Sequence, residues 1–155
     1  MRIYLNELHP RQKLTPSFRL LILRTLKAFI KAESLPGAEI SVILTEDRHL
    51  ESLNDKYRNK KQPTDVLSFP YQEENFFSHK NKSGENFLLG EIYISMDQVV
   101  EQARNDKVSV ASRTVFLLIH GLYHLLGYDH GSPEAFKEME NLVNNLYKKA
   151  LNFNR

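Results

Sequence analysis

Apolar side chains along the chain switch repeatedly between a spacing of two and a spacing of three to four, and these switches outline strands and helices. Residues 2–6 alternate over a short stretch, as an opening strand does. Thr15-Pro16 then offers a helix start with proline in the first turn, where a missing N–H breaks no bond. Phe18, Leu21, Ile22, Leu26, Phe29 and Ile30 place one apolar stripe on that helix before Pro36-Gly37 interrupts it. Residues 39–45 are β-branched and mostly alternating, which predicts a strand. Thr45 is expected to cap a second helix over about 46–57, with Glu46 and Asp47 in its first turn and Leu50, Leu53 and Tyr57 facing inward.

Arg58 to Pro63 reads as a basic loop, and Thr64 to Phe69 as a strand that Pro70 terminates. Residues 71–86 are polar and charged and are expected to form an exposed excursion. Leu88 to Ser95 alternates again, and Ser95 is placed to cap a helix through about Asp106. Ser109 can cap the next run, Val110 to Leu126, which is apolar around most of its circumference and therefore predicts a buried central helix closed by Gly127. Ser132-Pro133-Glu134 opens a final helix with Phe136, Met139, Val143, Leu146, Tyr147 and Ala150 at helical spacing. About four strands mixed with five to six helices imply an α+β fold with a mixed four-stranded sheet and one buried central helix. Residues 1–155 are expected to form a single domain, since a second core would be too thin to stand alone.

Composition narrows the chemistry. The absence of cysteine rules out both disulfides and thiolate metal sites, so soft-metal chemistry must come from imidazoles. The net charge of +2 conceals an uneven distribution, because 12 of the 21 Lys and Arg lie at or before position 61, a bias compatible with an anionic partner. No apolar run reaches the roughly 18–20 residues that a membrane span needs, and the first residues lack a signal-peptide stretch, so a cytoplasmic protein with no membrane partner is expected.

The candidate chemistry lies on the central helix. His120-Gly-Leu-Tyr-His124-Leu-Leu-Gly127-Tyr-Asp-His130 joins an i, i+4 histidine pair to a third histidine just beyond a helix-ending glycine. Four residues advance a helix by about 6 Å and keep both rings on one face. Gly127 lets the chain return so that His130 can supply a third vertex. Three neutral nitrogens and one open position are the mark of a catalytic zinc, and the competing reading has His120 and His124 hydrogen-bonded in a core or groove and His130 as a loop residue. The spacing matches the metzincin protease pattern except that Gly121 stands where the glutamate general base would be, which argues against a peptidase. Met139, beyond the third histidine, fits a core position.

The same eleven residues resemble the motif of the YbeY family of bacterial endoribonucleases, or rRNA maturation factors. Asn54-Asp-Lys-Tyr-Arg58 with Pro63-Thr-Asp-Val-Leu-Ser-Phe-Pro70 is similar to that family's central block, and Leu89-Gly-Glu-Ile-Tyr-Ile-Ser95 to its later strand. The likeness covers about Ile40 to Met139; Glu91 stands where aspartate is common. It implies a zincin-like fold and a zinc-dependent, single-strand-directed endoribonuclease acting in rRNA maturation, including the 16S rRNA 3′ end, and in ribosome quality control. It also implies one Zn²⁺ per chain on His120, His124 and His130, catalysis by these residues with Arg58, and partners in single-stranded rRNA and the small ribosomal subunit, with a ribosomal protein or GTPase as further candidates. Arg58 would hold phosphate oxygens with its planar fork, and the basic segment to Lys61 could follow the RNA backbone. Asp129 is open to a ligand-orienting or a turn-forming role, and Arg113 to an RNA-groove or an ion-pair role. A non-catalytic ribosome-assembly factor with a structural metal and a metal-dependent peptidase are the alternatives.

Overall fold

The computed structural model describes residues 1–60, 64–72 and 85–152. Its elements, in chain order, are β1 (Arg2–Glu7), α1 (Pro16–Ala32), β2 (Ala38–Thr45), α2 (Asp47–Arg58), β3 (Val66–Pro70), β4 (Phe87–Ser95), α3 (Met96–Asp106), α4 (Val110–Leu125) and α5 (Pro133–Asn152). Most of the expected excursion over residues 71–86, and Lys61, Gln62 and Pro63 of the expected basic loop, lie outside the described residues.

Helix starts follow the hydroxyl caps that the sequence predicts. Thr15, Ser95 and Ser109 accept the N–H groups of Phe18, Gln98 and Ser112, and Ser132 accepts that of Ala135. Each satisfies one amide that has no partner within its helix. α2 is the exception, and the expected Thr45 cap is corrected: Thr45 ends β2, and the N-cap position belongs to Glu46, whose side chain makes no capping bond. The Asp47 amide instead donates to Asp97 Oδ2 at 2.9 Å, and Asp47 Oδ1 accepts from Ser95 at 2.6 Å. A carboxylate from α3 thus does what a local cap would have done.

The sheet runs in the order β1-β2-β4-β3. β1, β2 and β4 are parallel, and β3 pairs antiparallel with β4 at the edge, from Val66 opposite Ile94 to Pro70 opposite Gly90. An edge strand tolerates Pro70 because no neighbour requires its N–H. The result is the expected α+β architecture, with a mixed four-stranded sheet and five helices.

Side-chain alternation separates the two faces of β4. Ile92 and Ile94 join the core with Leu26, Phe29, Val115, Leu118 and Leu122, all fully buried. Tyr93 points the other way, edge-on to His49 of α2. α4 therefore lies on one face and α2 on the other. α4 is buried at nine positions, from Thr114 to Leu125, and α1, α3 and α5 flank it. A helix so enclosed is a rigid base for the histidines at its end. α2 is more marginal: Leu50 is buried and Leu53 partly so, but Tyr57 is 58% exposed, contrary to its expected inward placement. Its ring meets Phe69 of β3, which lies at the edge of the sheet among the described residues, and Lys56 lies over it.

Candidate metal centre

Three local devices bring the histidines together. Helical periodicity puts His120 and His124 one above the other on α4. Gly127 takes φ +92°, a left-handed conformation that a side chain would oppose, and the chain turns back there. Asp129 Oδ1 then accepts the Gly131 N–H at 2.8 Å, an Asx turn that presents His130 to the other two rings. Asp129 thus has a turn-forming role.

The ring nitrogens converge. His124 Nε2 lies 3.1 Å from His120 Nε2, and His130 Nε2 lies 3.3 Å from the same atom. One ligand atom from each of the three lies within 4.8 Å of the others, an arrangement that can hold a metal ion. Two nitrogens about 2.05 Å from a tetrahedral ion are separated by about 3.3 Å, so both spacings suit a shared cation. Hydrogen bonding alone suits them less well. His124 Nδ1 sits 2.8 Å from the Tyr128 carbonyl and must carry the proton, which leaves a lone pair on its Nε2. One proton on His120 Nε2 cannot serve both contacts well, whereas a cation serves three lone pairs at once.

Burial and mutual repulsion favour the neutral forms of His120 and His124. His120 is pushed down from 6.5 to about 4, first by burial and then by His124 and His130, with Asp65 opposing. His124 is lowered as well, chiefly by burial, with the Tyr128 carbonyl opposing and His130 and Arg58 adding to the depression. Neutral imidazole is the form that ligates. Without metal, the unfolded chain protonates His120 near 6.5 while the folded chain resists until about 4. Folding stability contributed by this ring is therefore complete above pH 6.5 and lost as the pH falls toward 4. Denaturant titrations of the metal-free protein across this window are expected to show stability falling with acid, with a shallower slope in His120→Gln.

The surroundings sort the remaining candidates. Arg58 is exposed at the C-terminus of α2 rather than in a loop, and its charge reaches His124. Arg113 pairs with Asp106 and lies over the Phe116 ring at 5.4 Å, which favours the ion-pair role. Met139 is fully buried in the core. Glu91 accepts from the Tyr93 hydroxyl at 3.2 Å, and burial together with Glu91 pushes Tyr93 up to about 12. Gly121 faces β3 and β4: a Cβ there would meet Ile92 Cγ2 and Ser68 Oγ at 3.0 Å and Val66 Cγ2 at 3.2 Å. The helix rests on the sheet at this residue, with Ser68 Oγ donating to the Gly121 carbonyl at 3.0 Å.

Sequence reasoning missed several groups around the histidines. Phe116 is roughly parallel to the His120 ring at 6.5 Å, four residues earlier on the same face. Phe136, one of the apolar positions at helical spacing on α5, is 48% exposed and lies 5.3 Å from the His130 ring. The i−4 spacing from His120 would have revealed Phe116, but no local signal marked Phe136.

Known proteins resemble this chain in sequence and in fold. A family model described as Endoribonuclease YbeY matches residues 6–151. The Endoribonuclease YbeY of Aquifex aeolicus (strain VF5) is 42% identical over 126 residues, covering 79% of this chain and 79% of that protein. That of Acetivibrio thermocellus is 34% identical over 146 residues, 90% of each. The solution structure of TM1509 from Thermotoga maritima superposes with a TM-score of 0.59 at 26% identity, over 95% of this chain and 90% of that one. With nearly its whole length matched, the chain belongs to the YbeY endoribonuclease family.

Proposed function

We propose that this chain is a zinc-dependent endoribonuclease that cuts single-stranded RNA during maturation of ribosomal RNA, including the 16S 3′ end, and in ribosome quality control. The observation that carries this reading is the convergence of three imidazole nitrogens within 4.8 Å at a place open to solvent through exposed His130. Family membership supports RNA as the substrate. A three-histidine donor set with one open position is a set that catalytic zinc uses, which supports zinc as the ion. The ribosomal role, and with it the small subunit as partner and the cytoplasm as location, rests on the motif resemblance. Among the described residues, no single helix is long and apolar enough to cross a membrane.

When bound, zinc would supply Lewis acidity and positive charge to a phosphodiester under attack. His120, His124 and His130 would hold it and leave a vertex open, and the Tyr128 carbonyl fixes the tautomer and the angle of the His124 ring. Arg58 would add a permanently charged planar fork for the phosphate oxygens, a geometry that lysine does not reproduce. Gly121 places no carboxylate beside the histidines, which supports phosphodiester rather than peptide cleavage.

Purified protein is expected to carry about one zinc and to cut single-stranded RNA while sparing duplex, losing activity to a chelator and regaining it with zinc. Turnover unaffected by thorough metal removal would contradict the proposal. Arg58→Ala should retain its zinc and lose on the order of 10²-fold in cleavage, with Arg58→Lys recovering only part. If Arg58→Ala loses metal in step with activity, the arginine supports the site rather than the phosphate.

A further inference from the structure

We infer that the cleft between α4 and α5 is a subsite for one single-ring nucleobase of the RNA, next to the phosphate that is cut. The inference rests on the endoribonuclease reading and specifies which part of the strand the protein recognises. A cavity of about 160 Å³ opens directly beside the histidines, and His120 and His130 form part of its wall. A strand whose phosphate lies against those two rings has an adjoining nucleotide within reach of this opening. The size is selective, since a cavity of about 150 Å³ accommodates benzene and a two-ring purine needs considerably more room.

The lining suits a base. Phe116 and the exposed Phe136 offer aromatic surface on the side of the histidines, and such rings stack on any base. Buried Met139 and Val143 complete the apolar part. The polar part is Glu140 and Asn144, one helical turn apart on α5. Among the described residues, neither side chain makes a hydrogen bond or ion pair within the protein. A carboxylate accepts, and an amide both donates and accepts. Together they complement the edge of a pyrimidine, where an N–H donor lies beside a carbonyl or ring-nitrogen acceptor. This polar pair makes the cleft more than a gap between helices.

The test is cleavage of a randomised single-stranded RNA pool by the zinc-loaded full chain, as wild type, Asn144→Leu and Glu140→Gln, with sequencing of the product ends. Wild type is expected to enrich pyrimidines about tenfold at one fixed position beside the cut. Each variant should keep its zinc and lose about fivefold of that enrichment, the size expected for one hydrogen bond. An otherwise identical oligonucleotide made abasic at that position should raise KM about tenfold with little change in kcat. Continued cleavage with no base preference, with purines favoured, or with enrichment unchanged in both variants would overturn the subsite and leave the nuclease assignment standing. Failure of the wild type to cut any RNA would overturn that assignment, and the subsite with it.

Discussion

His124→Ala is expected to hold well under one zinc per chain and to cut RNA on the order of 10³-fold more slowly than wild type, with its fold retained. The substitution removes two things together. The Nε2 vertex disappears, and so does the Nδ1–H bond to the Tyr128 carbonyl that orients the ring. Two histidines remain, so a tetrahedral ion then has two of its four positions to fill from solvent and is released more readily. The fold should survive because His124 is only partly buried at the end of α4, whereas the core residues beneath it, Leu122 and Leu125, are untouched. Metal analysis, a cleavage time course and circular dichroism read the three outcomes separately. Full zinc occupancy with normal turnover would show that the imidazole cluster is not the catalyst.

The second large effect is one of stability. Gly121→Glu restores the letter by which this motif departs from the metzincin proteases, yet it is expected to destabilise the chain strongly rather than confer peptidase activity. The new Cβ alone would press on Ile92, Ser68 and Val66 at 3.0 to 3.2 Å. A carboxylate beyond it would be buried against the sheet without a partner, at a cost of about 3–5 kcal/mol. For a domain of this size that lowers Tm by about 10 °C or more. Gly121→Ala carries the crowding without the charge and should cost about 1–3 kcal/mol. Thermal melts of both variants check the order. A stable Gly121→Glu protein would mean that α4 can lift off the sheet, and the histidines would then lack the rigid base described above.

The elements were largely legible in the sequence because their determinants are local. Thr15, Ser95, Ser109 and Ser132 announced helix starts by bonding to amides only a few residues away. The histidine cluster was legible for the same reason, since its spacing and Gly127 lie within eleven residues. What escaped depended on distant parts of the chain. The Asp97 carboxylate that caps α2 comes from α3, 50 residues beyond Asp47, so Thr45 looked like the better candidate. Periodicity showed which faces of α2 and α5 are apolar, but not that Tyr57 packs on the strand β3 and stays exposed or that Phe136 lies next to a cleft. Gly121 was visible as a missing glutamate, while the reason for glycine, the contact with β3 and β4, required strands whose order no local pattern reveals.

Anomalous diffraction at the zinc edge, from crystals of the zinc-loaded protein, tests the central claim most directly. One peak per chain is expected, about 2.0–2.1 Å from the Nε2 atoms of His120, His124 and His130, with a fourth position free of protein. A peak elsewhere, or three rings turned apart with no ion among them, would contradict it.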